Sequence, residues 1–159
     1  MSTFLGKYLK TLKVSQSTIA ERTNIKLSRL SDLCNDFQSK IYAEEFFKII
    51  FIAHDVANLE ECQFKTAIEE VFPYRKKIDL LNDYKNLSIE GRLFRKYTLP
   101  QNEIENKLGI ANGKLSKYFS DITKRALAIE IIMFSEGLEL DTLLVFKDLY
   151  SDLIPSLKQ

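Results

Sequence analysis

The 159-residue chain repeats itself. Sliding it along itself by 85 positions sets Gln16 on Gln101, Ile19 on Ile104, Ile25 on Ile110, Leu30 on Leu115 and Ser31 on Ser116 without a gap. The register continues outward: Gly6-Lys7 meets Gly91-Arg92, Lys10 meets Arg95, Lys40 meets Arg125, Ala43 meets Ala128, Glu45 meets Glu130 and Leu59 meets Leu144. A repeat of this length constrains the fold more than composition does, because it asks for two similar domains, each with its own core. The expected division is residues 1–72, a linker at 73–84 and residues 85–159, since Pro73 breaks the helical pattern. Tyr74-Arg75-Lys76-Lys77, the densest basic run, reads either as a linker that touches phosphates or as a soluble hinge.

Inside each copy the apolar spacing is that of helices. Thr3 to Thr11 reads as an amphipathic helix with Phe4, Leu5, Tyr8, Leu9 and Leu12 inward. Its Lys7, Lys10 and Lys13 either solvate the outer face or contact phosphate. A short helix follows from Gln16 to Thr23, with Ser15 as its cap. Asn24 in the first copy and Gly109 in the second then occupy one equivalent position, and both residue types accept a left-handed backbone cheaply. A tight turn into a further helix is expected at each, buried on its Ile25, Leu30 and Leu33 side. Asn35 to Lys40 is a polar loop and Tyr42 to Ala53 a fourth helix. A fifth, capped by Asn58, runs through Leu59, Cys62, Phe64, Ala67, Ile68 and Val71. Ile78 to Tyr84 reads as a short connecting helix, and Ile89 to Tyr97 repeats the first helix, with Arg92, Arg95 and Lys96 on its polar side.

The residues around the turns resemble the Cro and phage-repressor type of helix-turn-helix family. That pattern runs Gln, an aliphatic-Ala pair, a turn Gly, an aliphatic residue and an aliphatic-Ser pair. Here it reads Gln16, Ile19-Ala20, Asn24, Ile25 and Leu30-Ser31, then Gln101, Ile104, Gly109, Ile110 and Leu115-Ser116. The stretch GLELDTLL, from Gly137 to Leu144, is similar to the end of the family's five-helix domain. The chain departs from the pattern at Asn24 in place of the turn Gly and at Glu105 in place of the small Ala. Cys34 and Phe119 stand where an acidic residue often closes the second helix. The resemblance implies an all-α chain of two tandem five-helix lambda-repressor-like domains.

It also implies a duplex-DNA partner, contacted by the start of the second helix of each motif. Those residues are Lys26, Leu27, Ser28 and Arg29 with Asp32 one turn on, and Ala111, Asn112, Gly113 and Lys114 with Lys117 one turn on. Lys and Arg suit guanine acceptors, Asn suits adenine and Asp suits the cytosine amino group. Gln16 and Gln101, at helix N-termini, would hold phosphate. Lys40, Lys124 and Arg125 complete the expected contact set. The copies offer different side chains, so the implied target is an imperfect palindrome read by one chain acting as a pseudo-dimer. If an approximate two-fold relates the copies, the half-sites lie about 10 base pairs apart.

Composition narrows the alternatives. With 23 basic and 22 acidic side chains the net charge is +1, so a local face rather than bulk charge must attract DNA. That balance also keeps open a tandem helical adaptor, or an anti-repressor, that binds protein instead. One histidine, no glycine-rich phosphate loop and no ligand-spaced Cys/His set argue against an enzyme, and no metal, cofactor or small-molecule ligand is called for. His54 is expected near a helix C-terminus, favourable with its dipole or solvated. Cys34 and Cys62 read as reduced thiols, and no apolar run has signal or membrane-spanning length, which points to the cytoplasm. The segment Leu138 to Leu157 is apolar enough to need packing between repeats or a homodimer contact.

Overall fold

The computed structural model describes residues 1–81 and 86–157. Every regular element among them is helical: α1 Phe4–Thr11, α2 Gln16–Thr23, α3 Leu27–Asn35, α4 Ala43–Val56, α5 Phe64–Val71, α6 Ile89–Lys96, α7 Gln101–Leu108, α8 Lys114–Ser120, α9 Ala128–Gly137, α10 Thr142–Tyr150 and α11 Ile154–Leu157. None of them is long and apolar enough to cross a membrane. The expected connecting helix is not formed at 78–81, and its remainder lies outside the described residues.

The helix ends show why these segments form where they do. Thr3 Oγ1 accepts from the Gly6 N–H at 3.1 Å to start α1, and Ser88, 85 positions on, accepts from the Gly91 N–H at 3.0 Å to start α6. Ser15 caps α2 through the Thr18 N–H. Asp36 and Asp121 end α3 and α8 in the same way, each accepting a backbone N–H two residues on at 2.9 Å. For Asp121 the hydroxyl and amide of Thr123 hold the carboxyl below its ordinary range. Asn58 takes no part in capping α5. It sits in the left-handed region at φ 59° just beyond α4, and a 3₁₀ turn over Glu61–Gln63 leads into α5.

After the fourth helix of each copy the register changes. Asn58 and Glu139 both have φ 59°, and behind them Leu59 donates to the His54 carbonyl and Leu140 to the Ser135 carbonyl. These matched groups lie 81 positions apart rather than 85, because α9 has 10 residues where α4 has 14. Four residues are about one turn. The structural equivalent of Leu59 is therefore Leu140 and not Leu144, and α10 occupies the sequence position of the 3₁₀ turn and α5.

The chain forms two compact units, Met1–Tyr74 with Leu143–Gln159, and Arg75–Thr142. This differs from one cut per repeat at both junctions. Arg75 joins the second unit because Glu136 binds its guanidinium through two hydrogen bonds of 2.7 and 2.9 Å, and Leu80 donates to the Gly137 carbonyl at 3.0 Å. Much of the expected linker is thus built into that unit, and Arg75 is buried in an ion pair instead of facing phosphate.

In the first unit α1 packs on α3 and α5, and α2 on α3 and α4. Phe46, Phe64 and Phe146 meet at its centre with ring centroids 5.4 to 5.9 Å apart. Phe146 comes from α10 and is fully buried, and Tyr150 lies against Phe47. Of the C-terminal segment, expected to pack between repeats or in a homodimer, Phe146 and Leu157 are buried within this chain while Leu144 and Leu149 stay exposed. In the second unit α7 packs on α8 and α9 around Ile104, Ala128, Ile132 and Met133.

Candidate nucleic-acid interface

Both turns adopt the geometry that their residue types favour. Asn24 closes α2 at φ 60°, ψ 15°, and Gly109 closes α7 at φ 71°, ψ 28°. The helix that follows differs between the copies. In the first, Lys26 is the cap residue and Leu27, Ser28 and Arg29 form the first turn of α3. In the second, Ala111, Asn112 and Gly113 precede α8 instead of opening it, with Gly113 as cap at φ 84°. Gly113 brings no side-chain acceptor to the first N–H groups of α8. Glu105 supplies the missing acceptor: its carboxylate is buried and takes the Leu115 N–H at 3.0 Å. The acid that departs from the family pattern at the helix crossing is thus the group that starts α8.

The expected contact residues divide into two sets. Lys26, Leu27, Ser28, Asp32 and Lys40 in the first unit are exposed, as are Gln101, Ala111, Asn112, Gly113, Lys117, Lys124 and Arg125 in the second. Gln16 is half-buried at the start of α2.

Arg29 and Lys114 behave differently, and they do so in parallel. Arg29 binds Glu45 through Nε at 2.9 Å and Nη2 at 2.8 Å, and also donates to the Lys40 carbonyl at 2.9 Å. Lys114 binds Glu130 at 2.6 Å, and the Tyr118 hydroxyl donates to the other oxygen of that carboxylate at 2.8 Å. Both acids are buried third residues of the following helix, and each also accepts the N–H of the residue capping it, Tyr42 at 3.1 Å and Leu127 at 2.9 Å. The hydrogen bond to Glu45 raises the Arg29 pKa. The two bases are therefore occupied in joining α3 to α4 and α8 to α9. The signal was in the repeat, since base and acid are 16 residues apart in both copies.

His54 lies in the last turn of α4 as expected, but it is buried rather than solvated, with Nε2 2.7 Å from the Tyr8 hydroxyl, and burial lowers its pKa. Among the described residues no cluster of three His, Cys, Asp or Glu side chains is placed to hold a metal ion. Comparison with models of known protein families, with curated proteins and with solved structures finds no significant match.

Proposed function

We propose that the chain is a sequence-specific double-stranded DNA-binding regulator of transcription, repressor-like, built as two tandem helix-turn-helix domains whose motifs read two unequal half-sites. The observation that carries this reading is the pair of left-handed turns at Asn24 and Gly109, each followed by a helix whose N-terminal approach is exposed. A helix presented by its start suits the major groove, where side chains meet base edges while the backbone and basic residues meet phosphate.

The reading residues are Lys26, Ser28 and Asp32 in the first unit and Asn112 and Lys117 in the second, with Lys40, Lys124 and Arg125 toward phosphate. Selection from random duplex DNA, followed by a salt titration of the enriched sequence, tests it. A motif of two unlike halves is expected, with a steep salt slope that falls by about one for each of Lys40→Ala and Lys124→Ala. No enrichment and weak, salt-insensitive retention would refute the proposal. The tandem protein-binding adaptor would then be the better reading, favoured by the apolar side chains exposed on α6.

A further inference from the structure

The two copies treat their first helix in opposite ways. In α1 Tyr8 and Leu9 are 6% and 2% exposed, covered by α3 and α5. Their equivalents in α6, Leu93 and Phe94, are 55% and 68% exposed, and α6 buries no residue at all. The glycines agree. A Cβ on Gly6 would run into the Cys34 carbonyl oxygen of α3 at 2.3 Å, whereas one on Gly91 would meet only Ser88 and Leu87 of its own segment. The register accounts for the missing cover on the α5 side. The helix at the sequence position of α5 in the second copy is α10, and its Phe146 is spent in the first unit's core.

What remains open in the second unit is a stripe at helical spacing. Ile89 and Tyr97 are 83% and 79% exposed, in line with Leu93 and flanked by Phe94. Tyr97 continues into a groove of about 460 Å³ that it shares with Phe119, Ile104, Leu115 and Leu138, and Phe119 is 71% exposed. At about 180 Å² for each of the five large side chains, scaled by its exposed fraction, the stripe offers on the order of 650 Å². A monomer's largest apolar patch is about 300–600 Å². Doubled across a two-fold axis it gives about 1,300 Å², within the range of specific interfaces.

We propose that this face is where a second copy of the chain binds, α6 against α6, antiparallel about a two-fold axis. The charges on the helix favour that orientation. Glu90 lies in its first turn and Arg95 and Lys96 in its last, so antiparallel pairing sets each acidic end beside the other copy's basic end. An isologous contact needs a self-complementary patch, and a stripe with opposite charges at its two ends is one.

Sedimentation equilibrium of the full chain up to about 100 μM tests the proposal, since an interface of this size is expected to associate at micromolar concentration. The wild type should reach the mass of two chains, and Leu93→Asp with Phe94→Asp should remain at one with unchanged helical circular dichroism. A wild type that stays monomeric would overturn the proposal. So would a dimer that survives both substitutions, since association would then run through another surface, including exchange of α10. Should the double variant lose helix, a cross-link decides. Leu93 is near the midpoint of α6, so Leu93→Cys in a Cys62→Ser background should join two chains through a short bis-maleimide. Glu139→Cys in that background should not, and failure of the Leu93→Cys chain to cross-link would overturn the assignment.

Discussion

Gly6→Ala, compared with Gly91→Ala, turns one repeat position into a controlled experiment on helix packing. At Gly6 the new Cβ would sit 2.3 Å from the Cys34 carbonyl oxygen, about 1 Å inside ordinary contact, and the obstacle is backbone rather than a side-chain tip. Relief requires α1 to move off the end of α3. That movement stretches two further bonds, Thr3 N–H to the Cys34 carbonyl at 2.8 Å and Thr3 Oγ1 to the Leu33 carbonyl at 2.7 Å. Overpacking costs about 1–3 kcal/mol and each weakened bond up to about 1, while replacing a helical glycine returns about 1. A net loss of about 2–3 kcal/mol follows for Gly6→Ala. At Gly91 the nearest atoms are side-chain atoms of Ser88 and Leu87 at 3.1 and 3.3 Å, which can shift by a few tenths of an ångström. There the helix-propensity gain offsets the crowding, and the change should stay within about 1 kcal/mol. Urea unfolding of both variants, followed by far-ultraviolet circular dichroism, measures the difference. Equal stability of the two variants would refute the close approach of α1 to α3.

Further outcomes follow from the buried groups. Burial holds His54 below its ordinary value of 6.5, so the unfolded chain takes up the proton first as pH falls. Stability should be full above about pH 6.5 and decline below it, and His54→Gln should flatten that decline in urea titrations across pH; an unchanged acid limb would exclude His54 as its source. Cys34 is buried with its thiol pushed up to about 11, whereas Cys62 is exposed. A thiol reagent at neutral pH should therefore modify one cysteine quickly, and peptide mapping should locate it at Cys62, with the second reacting only on unfolding. Removing the Arg75 guanidinium by Arg75→Met leaves Glu136 without its two bonds and should destabilise the second unit by about 3 kcal/mol in urea. A loss under 1 kcal/mol would show that the basic run at 74–77 acts as a free linker after all.

Much of the helical layout was legible because it depends on short-range chemistry that the repeat displays twice. Asn24 and Gly109 marked the turns through their tolerance of positive φ, and Ser15 marked a helix start through its side-chain acceptor. The four-residue shortening of α9 was not legible, since Leu59 and Leu144 match as well by type as Leu59 and Leu140 do. One leucine is like another until a backbone bond fixes its place. The same limit hid the assignment of α10: an apolar helix announces that it will be buried, not against which core. Glu105 showed another limit. Read alone it is a charge where a small residue belongs, and its purpose appears only once Gly113 is seen to leave the start of α8 uncapped.

The contact set is where the sequence and the structure divide most usefully. Arg29 and Lys114 have the residue types that suit guanine, yet both are tied to buried carboxylates, so base reading by either would first have to leave Glu45 or Glu130 without its cation. If those bonds hold, Arg29→Ala should lower stability by about 2 kcal/mol, the scale of a hydrogen bond to a charged group. Adding Glu45→Gln should then cost less than it does in the wild type, because the acid has already lost its partner. Lys117→Ala, at an exposed position, should change stability by no more than about 0.5 kcal/mol while weakening DNA binding. A double-mutant cycle in urea gives the coupling between Arg29 and Glu45 directly. A coupling near zero, with DNA affinity lost in Arg29→Ala alone, would return Arg29 to the reading surface. A coupling of 1 kcal/mol or more places it in the frame that holds α3 against α4, and leaves Lys26, Ser28 and Asp32 as the residues proposed to read DNA in that unit.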